Sequence, residues 1–188
     1  MQRHRSMLVT FVRTGERRYA VRAMVEGKAV VEMSPAPGYD PMVPHDLQHF
    51  IVERALGIEG AVFGQLAAGG TAGTFHVVAT GGSPRRAREG RKRAAKQAKL
   101  SLQRDDPARS ERATYVCWHH WLSQSNDPAR RAKAREMQDS VRSMLQGMPT
   151  AERALYSPAR MIEVRAEFER LSGLWSKLEV GESLTEPW

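Results

Sequence analysis

Two histidines and a carboxylate recur four residues apart in His45-Asp46-Leu47-Gln48-His49-Phe50-Ile51-Val52-Glu53. On a helix turning about 100° per residue, His45, His49 and Glu53 fall within about 80° of one another. Side chains four apart are neighbours on a helix surface. Two imidazoles and a carboxylate converging there make a three-ligand face for a divalent transition metal (zinc, iron or manganese), with positions left for water or substrate. Asp46 lies just to one side, where it could orient an imidazole or act as base on metal-bound water. The chemistry implied is a metal-dependent hydrolase or lyase reaction. The plainer alternative is a helix-initial His45 that satisfies a backbone group, beside an ordinary i,i+4 pair of His49 and Glu53.

The spacing is similar to the H-E-x-x-H of zinc metalloproteases, where the glutamate is the general base. Asp46 stands at that position here and is one methylene shorter. His45 to His49 also resembles the H-D-x-x-H metal motif of a family of ubiquinone-biosynthesis proteins, which implies a bound metal. That family is largely helical and carries a glutamate where this chain has Ala61, so the likeness stops at five residues. The H-D pair is shared with HD-type phosphohydrolases, whose other separated His and Asp elements are not recognisable.

Other chemistry-bearing residues are weaker signals. Cys117 and His120 are three apart, but a lone C-x-x-H without a second pair is poor for zinc. Tyr115, Val116, Trp118, Trp121 and Leu122 surround them, as expected of a packed core helix with a buried thiol. His76 sits in an apolar stretch and reads as structural. The glycine-containing run Gly64–Thr74 lacks both the Lys-Ser/Thr ending of a Walker loop and G-x-G-x-x-G spacing, so no nucleotide or flavin signature is present. Nor is there a G-x-S-x-G serine context.

The net charge is +8, from 29 basic and 21 acidic side chains. Eight of those basic residues and one acid lie between Arg85 and Lys99, so the excess belongs to one segment. On a helix, Arg85, Arg88, Lys92, Lys96 and Lys99 would line one side. Such a stripe suits nucleic acid or another acidic partner, held by salt-dependent counterion release. The alternative is a solvated basic helix weakened by Gly90.

The elements that must position these groups follow from periodicity. Tyr19, Val21, Ala23 and Val25 alternate as in a half-buried strand. Met7 to Arg13 and Lys28 to Met33 flank it through short turns, which predicts an antiparallel meander. Pro35 to Pro41 is expected as loop, because its prolines fix φ and remove donors. Pro44 at a first helical turn and Gly57 as terminator predict a helix over about 44–56. A short helix over 61–68 and a strand over 74–80 follow.

The second half reads as helices. Ser83-Pro84, Asp106-Pro107, Asp127-Pro128 and Ser157-Pro158 each pair an N-cap oxygen with a proline, a helix-start signal. Helices are expected near 84–103, 107–125, 128–147 and 158–175, with the tail to Trp188 as a strand or a clasp. The class is α+β: a small antiparallel β-sheet with the His-bearing helix over 1–82, and a helical region over 83–188 packed on it as one structural domain. No apolar run reaches the roughly 18 residues of a membrane span. A single cysteine fits a reducing, cytoplasmic setting. The leading functional expectation is a metal-binding protein with hydrolase or lyase activity. The rival is a non-enzymatic nucleic-acid-binding or accessory protein acting through 85–99.

Overall fold

The computed structural model describes residues 7–26, 28–79, 88, 92, 95 and 105–188. Strands β1 (Met7–Gly15), β2 (Arg18–Val25) and β3 (Val30–Ala36) form the expected meander. β4 (His76–Ala79) adds to β3 and β5 (Ser183–Pro187) adds to β1, giving an antiparallel sheet in the order β4-β3-β2-β1-β5. Alternation buries Met7, Val9 and Phe11 of β1 with Tyr19, Val21, Ala23 and Val25 of β2. β3 runs two residues into the stretch expected as loop. Pro35 is tolerated there because the β2–β3 register shifts between Tyr19 and Val21, and β4 reaches only as far as Glu32.

The helices are α1 (His45–Leu56), α2 (Val62–Ala68), α3 (Asp106–Ser123), α4 (Pro128–Gly147), the single turn α5 (Thr150–Arg153) and α6 (Pro158–Trp175). Gly57 ends α1 in the left-handed conformation, with φ 68°, as its lack of a Cβ allows. Asp127 caps α4 by accepting from the Ala129 amide at 2.8 Å. α3 starts one residue before the expected Pro107, with Asp105 before it and the Asp106 side chain turned to Gly60. A Cβ on Gly60 would lie 1.9 Å from Asp106 Oδ2, so this glycine lets the start of α3 close on the turn ahead of α2. The helix expected over 84–103 lies outside the described residues, apart from Arg88, Lys92 and Ala95, which are helical and exposed.

One buried cluster joins both halves of the chain. Phe11, Phe50 and Phe63 belong to it together with Cys117, Trp121, Phe168 and Trp175. The C-terminus is both strand and clasp. Leu184 pairs with Phe11 across β5 and β1, and the Trp188 ring lies 5.7 Å from Phe50 and 5.6 Å from Phe63. Arg54 at the end of α1 donates to Glu167 of α6 at 2.5 Å and to the Pro187 carbonyl at 2.9 Å. Arg170 holds Glu186 with two bonds of 2.8 and 2.7 Å. α1 is therefore fixed between the sheet, α3 and α6. Among the described residues, no helix is long and apolar enough to cross a membrane.

Candidate metal centre

The first amides of a helix have no intrahelical partner and must find one elsewhere. No side-chain cap serves α1. Instead the His45 amide donates to the Gly38 carbonyl at 3.0 Å, and the Asp46 amide to the Tyr19 hydroxyl at 3.3 Å. The proline loop thus sets where α1 begins. Gly38 has φ +70°, and a Cβ there would lie 2.7 Å from the Cβ of His45. Gly38→Ala should cost about 1–2 kcal/mol from the left-handed backbone alone and displace His45. Urea unfolding and zinc titration of this variant check both effects, and unchanged values for both would show that the close approach is not required.

Tyr19 is fully buried. Its hydroxyl meets the Pro37 carbonyl at 2.5 Å and a side-chain oxygen of Asp46. A phenol has one proton to give. It faces two acceptors, the Pro37 carbonyl and the Asp46 carboxylate, while the phenol oxygen accepts from the Asp46 amide. Burial pushes the Asp46 carboxyl up, and the bond from Tyr19 acts against that shift. Burial, with Asp46 adding to it, also pushes the Tyr19 phenol up. Asp46 is therefore engaged beside the start of α1, on the buried side.

His49 is 3% exposed and is clamped by α3. Its Nδ1 lies 2.8 Å from Ser110 Oγ, 3.3 Å from Thr114 Oγ1 and 3.5 Å from Glu53 Oε1. Its Nε2 lies 3.5 Å from Glu111 Oε2. Ser110 donates to Glu53 Oε1 at 2.7 Å. Glu53 is fully buried and also accepts from the amides of Val62 at 3.3 Å and Phe63 at 3.0 Å. α2 has no side-chain cap of its own, so this carboxylate satisfies its first amides, where negative charge is favourable. Glu53 stands behind His49, on the Nδ1 side. The carboxylate that meets both imidazoles is Glu111.

His45 Nε2 is 3.9 Å from Glu111 Oε2, and the two imidazole rings are 4.5 Å apart at 67°. One ligand atom from each of His45, His49 and Glu111 lies within 4.8 Å of the others. A tetrahedral zinc with bonds near 2.1 Å needs ligand atoms about 3.4 Å apart, so small side-chain adjustments close the set. The side chains of His45 and Glu111 are 45% and 66% exposed, against 4% for His49. One anchored side chain and two at the surface leave the group open toward solvent. Among the described residues, no second group of three His, Cys, Asp or Glu side chains comes together in this way.

The charges in the site are coupled. Burial pushes the His49 imidazole toward its neutral form, but its hydrogen bonds to Glu111 and Glu53 outweigh this and raise it to about 9. The bond from His49 holds Glu111 below its ordinary range. Burial, then the charge of His49, lowers His45. A proton on His49 Nε2 is thus held between His49 and Glu111.

The remaining expected residues that the structure describes are not part of this group. Cys117 is fully buried, with its thiol pushed up to about 12 by burial. Trp118 beside it is packed at 5.0 Å from Trp121, as a core helix requires. His76 is exposed on strand β4. Of the basic stripe, Arg88 and Lys92 are exposed, while Arg85, Lys96 and Lys99 lie outside the described residues. Glu111 was not singled out by the sequence. The available signal was the polar set Ser110, Glu111 and Thr114 beside the apolar positions Ala113, Cys117 and Trp118 of the same helix. No protein-family model matches the chain, and no curated protein or solved structure is significantly similar to it.

Proposed function

We propose that this protein binds one divalent transition metal through His45 Nε2, His49 Nε2 and Glu111, and that the bound ion serves a hydrolase or lyase reaction. The observation that carries the reading is the convergence of these three ligand atoms within 4.8 Å, with the far nitrogen of His49 already engaged by Ser110. Two nitrogens, one oxygen and an open side are the ligand set of catalytic zinc sites, in which the ion lowers the pKa of bound water to about 7. Zinc fits this donor set best, and iron or manganese would be accepted by the same types of ligand.

Within this reading His49 is the fixed ligand, and His45 and Glu111 close over the ion. Glu53 acts from behind His49, and Asp46 orients the start of α1 through Tyr19. Metal analysis of protein purified without chelator tests the assignment. Wild type should carry close to one equivalent of metal. His49→Ala and Glu111→Ala should carry little, and both should keep the wild-type fold. Equal metal content in all three proteins would remove the assignment.

A further inference from the structure

We infer that Ser110 and Glu53 are positioning residues of this metal centre: they form a one-way hydrogen-bond relay that leaves the metal-facing nitrogen of His49 as the lone-pair donor. The inference rests on the metal reading above and adds what makes His49 competent. Its basis is a proton count. Glu53 Oε2 accepts from the Phe63 amide at 3.0 Å, and Oε1 from Ser110 at 2.7 Å and the Val62 amide at 3.3 Å. Two of these donors are backbone amides that cannot turn round, so both carboxylate oxygens are acceptors. The one proton of Ser110 Oγ is committed to Glu53. The serine oxygen, 2.8 Å from His49 Nδ1, can then only accept. Nδ1 must carry hydrogen, and in the neutral ring the lone pair falls on Nε2, the atom beside Glu111.

The direction is set far from the ion. It begins at the first amides of α2, passes through Glu53 and Ser110, and ends at the ligand ring. Thr114 Oγ1, at 3.3 Å from the same nitrogen, braces the ring without fixing the direction, because its own proton can turn either way. A metal-ligating histidine needs its other nitrogen held in this manner, and losing the partner typically lowers metal affinity by about 10–100-fold.

The relay makes an unusual prediction for Glu53→Gln. Either orientation of the amide sets its NH2 against one backbone donor of α2, so the oxygen keeps the shorter bond, from Phe63 at 3.0 Å, and gives up the longer one, from Val62 at 3.3 Å. Its NH2 then points at Ser110. Ser110 turns to donate to His49 Nδ1, and the ring proton moves to Nε2. A residue with a purely structural role would lower stability and leave the tautomer unchanged.

The experiment is zinc titration of wild type, Ser110→Ala and Glu53→Gln, with nitrogen-15 NMR of the metal-free proteins at alkaline pH, where the ring is neutral. We expect Nδ1–H in wild type, Nε2–H in Glu53→Gln, and zinc affinity lower by about tenfold or more in both variants. If wild type binds zinc but either the tautomer change or the affinity loss is missing, the relay is overturned and the metal reading stands. Should Glu53→Gln fail to fold, Nε2–H in wild type or full affinity in Ser110→Ala overturns it equally. If wild type takes up no zinc, the relay falls together with the metal reading.

Discussion

Glu53→Ala should destabilise the metal-free protein by about 3–5 kcal/mol, the cost of breaking a buried charged pair from one side. The loss has several parts. The Val62 and Phe63 amides and the Ser110 hydroxyl lose their acceptor, and His49 loses the buried carboxylate at its Nδ1 side. Each stranded buried donor costs about 1–3 kcal/mol before relaxation. Glu111→Ala, at a side chain 66% exposed, should change urea stability far less and act on metal content. Equal, small effects of the two substitutions on the metal-free protein would contradict the division of labour between the two carboxylates.

Metal affinity should climb steeply with pH. The ion needs the lone pair on His49 Nε2, and that nitrogen keeps its proton up to about pH 9 in the metal-free protein, despite burial, through its bonds to Glu111 and Glu53. Each pH unit below that value should therefore change apparent zinc affinity by about tenfold, with one proton released per ion. The dependence should flatten above it. Stability without metal should run the opposite way. The folded pKa lies above the ordinary 6.5, so the contribution is complete below pH 6.5 and is lost as pH rises through about 9. At roughly 1.4 kcal/mol per unit, the loss is about 3 kcal/mol. His49→Gln should abolish both slopes, as read by calorimetry and by urea unfolding across pH. Flat profiles in wild type would mean that His49 is neutral and unpaired with Glu111.

Local signals carried the elements well, and half of the site. Proline at helix starts, Gly57 at the end of α1 and the alternation through β2 are short-range properties, and among the described residues each element they predict stands within a few residues. His45 and His49 converge because four residues make one helical turn. What stayed hidden is what the helix meets. Spacing marks His45, His49 and Glu53 as one face of α1 without telling that His49 and Glu53 are buried. Their partner Ser110 is 61 and 57 positions away along the chain. Periodicity marks which residues share a face and is silent on which other face will satisfy them. Glu53 illustrates the consequence. Its spacing suggested a ligand, whereas packing gave it the amides of α2, and Glu111 of a distant helix meets the imidazoles instead.

The central claim is best tested by crystals of the protein grown with zinc and measured at the zinc absorption edge. The account predicts one anomalous peak bonded to His45 Nε2, His49 Nε2 and a Glu111 oxygen at about 2.0–2.2 Å, with Glu53 still on the amides of α2. A peak that engages Glu53 in place of Glu111, or no peak between the two histidines, would contradict it.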